Sequence, residues 1–272
     1  MKSSLIDKIK ALPPLPKTII DINKIYADEE SCVADMAKVV EHDPMIVANL
    51  LKAANSPLFG LSKTITSVAQ AVSFFGMSRT RSISIHNSMK KLLNVDLQPY
   101  GISSEDFAEI STVQANLMMK WYKQIDKDKA EKLYLATFLQ ETGKILIASE
   151  VIQEDEAMSF SSEIEMTSNI AMVEKSYVDV SSAEVTASIF EHWGFDDDFI
   201  NMIRYSDDPI KADDDIKEFA MALNIIKTIV PVNDPLSDMP INFGLKKAQN
   251  AGYDVALLQT AIDEIIDFLD NN

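Results

Sequence analysis

Stretch after stretch of this chain places apolar residues three and four positions apart, and no run alternates apolar with polar as a half-buried strand would. No hairpin dipeptide breaks the series, and glycine, the residue most turns depend on, occurs only 7 times in 272 residues. Such a pattern can hide its apolar stripes only by packing helix on helix, so the chain is read as all-α. At this length, with 47% hydrophobic residues, it can bury one large core or two modest ones.

The helix boundaries are legible from caps. "SSLIDKIKAL" forms a first helix and stops at Pro13-Pro14-Leu15-Pro16, where missing amide hydrogens and fixed φ enforce an extended connector. "TIIDINKIYA" follows, then "CVADMAKVVEH" with Ser31 as its expected cap. Asp43-Pro44 opens "PMIVANLLKAAN" with an N-cap and a proline at the first helical position. A helix at "SVAQAVSFF" is expected to stop at Gly76, and a long one runs through "SRTRSISIHNSMKKLL". Pro99 and Gly101 mark a subdomain boundary near residues 95–103. Ser103 to Asp106 open a helix to about Tyr122, and "AEKLYLATFLQETGKILIAS" comes next. Further helices are expected near Ile164–Ser176, near Ala183–Trp193, at "DDDFINMIRYS" and at "IKEFAMALNIIKTIV". The Pro/Asp-rich "PVNDPLSDMP" reads as a loop before "KKAQNAG" and the amphipathic "DVALLQTAIDEIIDFLD". That last helix is expected to dock on its own core, a homodimer seam being the alternative.

The net charge of −17 sets phosphate backbones and anionic lipids against the chain, so nucleic acid is disfavoured as a partner. Its distribution is uneven. Pro44 to Val95 holds no Asp or Glu but six basic residues, Lys52, Lys63, Arg79, Arg81, Lys90 and Lys91, which leaves −23 on the remainder. Buried helices shed carboxylates, which accounts for such a stretch; a partner-facing surface is the sharper reading. The single cysteine, Cys32, allows no disulfide within the chain and reads as a small core residue, consistent with a reducing cytoplasm. Neither a signal-peptide apolar region nor a membrane-span-length run is present, so no membrane association is expected. The 13 methionines are spread along the helices and read as core filler rather than an adaptable groove.

Enzyme signatures are missing. The three histidines, His42, His86 and His192, lie far apart with no second histidine at helical spacing. No G-x-S-x-G elbow, P-loop or G-x-G-x-x-G occurs. Glu141, in the polar pair Gln140-Glu141 just before Gly143, is the one carboxylate whose setting suggests a base, and no partner for it is fixed by sequence.

The order of several short motifs resembles the HDOD module, a relative of the HD metal-dependent phosphohydrolases. The residues that carry the likeness are Leu12-Pro13-Pro14-Leu15-Pro16, Asp43-Pro44, "LLKAANSPLFG" with Asn55, Ser56, Phe59 and Gly60, and "SVAQAVSFFGMSR" with Ser67, Ala71 and Gly76. A fainter likeness runs through "LATFLQETGKILIAS" and on to about residue 210. The resemblance implies a multi-helical, HD-superfamily-like bundle: an HDOD domain over 1–210, divided into an N-terminal helical subdomain (1–100) and an HD-like subdomain (101–210). Residues 211–272 are expected as a helical extension packing on the HD-like part. Where catalytic relatives carry a His-Asp pair before the x-Gly-Lys turn, this chain has Gln140-Glu141. Other ligand positions are implied near Ile110 or Ser111, Ser182, Ser206 and Asn224, and none is a histidine. Amide and hydroxyl oxygens are weak substitutes for imidazole toward a transition metal, so no metal, cofactor or catalytic residue is expected.

The resemblance therefore implies a bacterial signal-transduction module, cytoplasmic, that contacts a separate signalling protein. The candidate contact surface comprises Asn55, Ser56, Phe59, Lys63, Arg79, Arg81, Lys90 and Lys91, with Asn55 and Ser56 also suited to bracing a helix end. The competing reading is a residual phosphohydrolase acting on nucleotides or cyclic dinucleotides through Glu141 and a loosely held Mg²⁺.

Overall fold

The computed structural model describes residues 1–56, 63–92 and 96–271, with backbone only at 90–92. Among the described residues the regular elements are helices, with no strand. The chain divides into two compact units, Pro13–Leu92 with Ile266–Asn272, and Met1–Leu12 with Leu93–Ile265.

The first helix, α1 (Ser3–Lys10), belongs to the larger unit although the sequence groups it with the residues up to 100. The reason is local. Leu5 and Ile9 are buried, each side chain contributing about 1.5–3 kcal/mol by leaving water, and Lys8 Nζ lies 2.7 Å from Glu150 of the larger unit.

The smaller unit holds α2 (Lys17–Ala27), α3 (Val33–Val40), α4 (Pro44–Ala54) and α5 (Val68–Leu92). Asp43 caps α4 as the sequence suggests, its Oδ1 accepting from the amides of Met45 (2.9 Å) and Ile46 (3.2 Å). The start of α3 departs from expectation by one residue. Cys32 is the N-cap and is exposed rather than in the core, while the Ser31 hydroxyl donates to Asp28. Gly76 takes φ 75° and ψ 175°, a conformation that favours glycine, and α5 turns there and continues. Beyond that bend, hydroxyls replace carboxylates on a buried face: Ser82 and Ser84 donate back to Ser78 O and Thr80 O of their own helix.

In the larger unit, α6 (Ser104–Tyr122) packs on α7 (Lys127–Leu139), and α8 (Gly143–Gln153) on α11 (Ser182–His192). α11 lies against α12 (Asp197–Arg204), α12 against α13 (Asp214–Ile229), and α13 against α14 (Asp238–Asn250). Between α8 and α11 come α9 (Ala157–Met166) and α10 (Ile170–Val178), where the sequence predicts one helix over Ile164–Ser176. The break is a capping event: Asn169 Oδ1 accepts from Met172 N (3.2 Å) and starts a new helix. α14 begins inside the stretch read as loop. α15 (Val255–Asp270) buries Leu258, Ala261, Ile262 and Ile265 against its own chain. No helix among the described residues is long and apolar enough to cross a membrane.

The methionines divide. Met36, Met89, Met118, Met119 and Met202 fill cores, whereas Met45, Met158, Met166, Met172 and Met239 face solvent, contrary to the expectation of core filler throughout.

Candidate functional site

The interior of the larger unit contains an unusual concentration of buried charge. Gln140, Glu141 and Thr142 form the short link between α7 and α8, and all three are buried. The link is held close to α11 by Gly143, whose amide donates to Thr186 Oγ1 (2.7 Å). A Cβ at this glycine would lie 2.2 Å from Ser182 O and 2.8 Å from Thr186 N, so only glycine permits this approach of α8 to α11.

From that junction Lys144 points inward. Its Nζ lies 2.7 Å from Glu174 Oε1 on α10, 3.1 Å from Glu141 Oε2 and 3.0 Å from Ser182 Oγ, and sits 5.0 Å from the centre of the Tyr100 ring. Tyr100 OH donates to the same Glu174 oxygen (2.9 Å), while Glu174 Oε2 accepts from Ser182 N (2.6 Å) at the start of α11. A second ammonium enters from α13: Lys227 Nζ is 2.6 Å from Asp207 Oδ1 and 3.9 Å from Glu141 Oε2. Glu141 is thus flanked by both lysines. Three carboxylates, Glu141, Glu174 and Asp207, face two ammonium groups, Lys144 and Lys227.

Protonation follows from this arrangement. Burial by itself would raise the Glu141 carboxyl, but the charges of Lys144 and Lys227 outweigh it and hold Glu141 below the usual range. Asp207 behaves alike: burial opposes ionisation, the Lys227 ammonium overcomes it, and the group settles at about 2. Burial likewise penalises the Lys144 and Lys227 ammoniums, and the facing carboxylates, Glu141 and Glu174 for one and Asp207 and Glu141 for the other, push both above the ordinary lysine value. The centre is therefore an ionised network at neutral pH.

The sequence-derived positions fall around it unequally. Gln140, Glu141 and Ser182 belong to the network directly. Gln140 Nε2 donates to Gln114 Oε1 (3.0 Å), and Gln114 Nε2 donates to Val230 O (2.8 Å). Ser206 and Asn224 meet each other, the Asn224 amide donating to Ser206 O, while Asp207, next to Ser206, and Lys227, three residues after Asn224, reach the centre. Ser111 does not take part: its hydroxyl donates to Phe107 O of its own helix (2.9 Å), and Gln114, one turn later, is the α6 residue that contributes. Lys144, Glu174, Asp207, Lys227 and Tyr100 are absent from the sequence reading. Glu174 carried a signal, a carboxylate one residue after Val173 and four before Val178, both buried.

A dinuclear metal centre of the HD kind does not fit these donors. Glu141, Glu174 and Asp207 each turn one oxygen to an ammonium group, and the larger unit's histidine, His192, is not among the donors, its Nε2 lying 3.2 Å from Leu12 O. Among the described residues no group of three or more His, Cys, Asp or Glu side chains could hold a metal ion.

The candidate contact residues lie in the smaller unit. Asn55 is committed internally, its Nδ2 donating to Leu51 O (2.9 Å) and Ile65 O (2.8 Å) and its Oδ1 accepting from Ile65 N (2.8 Å). Arg81 turns toward α2, donating to Asn23 Oδ1 (2.6 Å) with its guanidinium 4.7 Å from the Tyr26 ring centre. Lys63 is exposed, and Ser56 and Arg79 are half-buried. Phe59 and the side chains of Lys90 and Lys91 lie outside the described residues.

Comparison with known proteins places this geometry. The family model for the HDOD domain matches residues 12–209. A Treponema pallidum (strain Nichols) protein without assigned function is 22% identical over 212 residues, which take in 75% of this chain but 39% of that protein's length. Two solved structures are similar over nearly the whole chain. One, from Marinobacter aquaeolei VT8 and provisionally described as a signal transduction protein, has a TM-score of 0.75 at 22% identity, covering 99% of this chain and 60% of its own. The other, from Shewanella amazonensis SB2B and provisionally described as a phosphohydrolase, has a TM-score of 0.74 at 22% identity, covering 97% and 94%. At these identities the likeness speaks for the fold.

Proposed function

Starting from the fact that the chain belongs to the HDOD domain family, we propose that it is a non-catalytic signal-transduction module: a phosphohydrolase-type helical scaffold that works by recognition. The observation that carries this reading is the lysine pair. Lys144 and Lys227 stand among Glu141, Glu174 and Asp207 as tethered cations, so two of the three carboxylate charges are balanced from within the chain. A hydrolytic centre needs a nucleophilic water and an electrophilic ion beside an accessible scissile bond. Here Gln140, Glu141, Glu174, Lys144 and Ser182 are 0–3% exposed and Asp207 and Lys227 only 12% and 10%, and the two lysines, at 2.7–3.1 Å and 2.6 Å from their nearest carboxylates, are committed to them.

The test is hydrolysis of bis-p-nitrophenyl phosphate and of cyclic dinucleotides with Mn²⁺, Fe²⁺ or Mg²⁺ supplied, comparing the natural chain with Glu141→Gln. The expected result is no turnover above the Glu141→Gln background. Metal-dependent turnover that this substitution removes would establish the phosphohydrolase reading instead.

A further inference from the structure

The larger unit presents a surface that its fold does not explain. Met158, Met166, Met172 and Met239 are 86%, 88%, 67% and 62% exposed. α9 buries Phe160 and Ile164, so Met158, Ser162 and Met166, four residues apart in succession, form a stripe on its solvent side. The neighbouring elements are tied to that helix. Tyr177 OH of α10 donates to Glu163 (2.8 Å), with its ring 5.1 Å from that of Phe160. Asn233, in the segment leading to α14, donates to Ile164 O (2.8 Å) and Thr167 O (3.2 Å), which brings that segment to the end of α9.

Two exposed thioethers on one helix face, Met158 and Met166, add nothing to the stability of the free chain, since apolar area left in water is an unfavourable term. An unbranched, polarizable side chain does suit contact with a partner of variable shape. The charge around it selects the partner. From Ile145 to Glu174 the chain contains no Lys or Arg, while Glu163 and Glu165 stand exposed beside the methionine stripe. An anionic bilayer or a nucleic acid would be repelled by such a rim.

We infer that the solvent-facing stripe of α9, Met158 and Met166 with Glu163 and Glu165 beside them, binds a basic amphipathic helical segment of a partner protein, its apolar side chains on the two methionines and its Lys or Arg residues against the two glutamates. This deepens the recognition reading above by naming the class of partner, yet the two stand on different residues and fail separately.

The test uses the full chain and a fluorescent Leu/Lys amphipathic peptide, with a Leu/Glu peptide of the same pattern as comparison, read by anisotropy at physiological salt. The Leu/Lys peptide is expected to bind and the Leu/Glu peptide not. Met158→Gln/Met166→Gln and Glu165→Lys should each weaken binding about tenfold with unchanged Tm. Glu109→Lys, the same charge change at an exposed site on α6, should leave it unchanged. Equal losses with Glu109→Lys, equal binding of the Leu/Glu peptide, insensitivity to the methionine changes, or preferential binding to phosphatidylserine vesicles would each overturn the inference. Any of these results would leave the hydrolysis test above intact.

Discussion

Lys227→Met is the perturbation that asks most of the buried network. Methionine keeps the length of the stem and removes the charge that lies 2.6 Å from Asp207 Oδ1 and 3.9 Å from Glu141 Oε2. What remains is three buried carboxylates served by Lys144 alone. Removing one partner of a buried pair costs about 3–5 kcal/mol, because the other charge is left without compensation. For a chain of this size that corresponds to a fall in Tm of roughly 6–20 °C. Asp207, with burial no longer opposed by Lys227, should ionise above its ordinary value of 3.8 instead of at about 2. The sign then follows: a carboxyl whose folded value is raised gives stability at low pH and loses it as pH rises, so the deficit of the variant should shrink as pH falls below that raised value. Adding Asp207→Asn removes both charges while preserving shape, and the double variant should be less destabilised than the sum of the singles by at least about 1 kcal/mol. Urea denaturation of the four proteins measures all three quantities. A Lys227→Met cost under about 1 kcal/mol, or additive singles, would refute the claim that these groups act as one buried network.

Three other outcomes follow from the same structure. Gly143→Ala should destabilise the fold by about 1–3 kcal/mol or prevent accumulation of soluble protein, since its Cβ would lie 2.2 Å from Ser182 O; thermal denaturation reads this, and an unchanged Tm would contradict the close approach. For the natural chain, Asp207 and Glu141, both depressed, contribute stability that is complete above their ordinary values of 3.8 and 4.5 and is lost as pH falls, for Asp207 toward about 2, whereas Lys144 and Lys227, both raised, contribute below their ordinary 10.5 and lose it at higher pH; the contribution of these four groups, read as the difference from Lys227→Met/Asp207→Asn in urea denaturation, should be flat between these limits. Arg81→Glu should destabilise the fold by about 1–3 kcal/mol through loss of the Asn23 bond and the Tyr26 contact, read by urea denaturation, and a variant as stable as the parent would contradict a structural role for these contacts.

Much of the helical order is legible because it rests on local chemistry. Asp43-Pro44, Ser103 with Asp106 and the bend at Gly76 depend on neighbours within a turn, and those signals lie side by side in the chain. The break before α10 was equally local, in Asn169, but its cap was masked by apolar spacing that continues across it. The central network is another matter. Gln140 and Glu141 stand out because they interrupt an apolar run, whereas Lys227 and Asp207 look like ordinary surface charges until α13 is folded against α12. Glu174 and Lys144 meet across thirty positions of sequence through the turn of α8 past α10, and periodicity holds no information about such a meeting. The placement of Arg81 is illegible for the same reason, since its partners Asn23 and Tyr26 lie on a helix more than fifty residues earlier.

The claim on which the rest depends is that tethered ammonium groups, not bound metal ions, serve as the counter-ions of the central carboxylates. Elemental analysis of protein produced in iron-, manganese- and zinc-supplemented medium, purified without chelator, tests it directly, with Tm measured before and after EDTA. The expected result is transition metal far below one ion per chain and a Tm that EDTA leaves unchanged; stoichiometric metal whose removal lowers the Tm would contradict it.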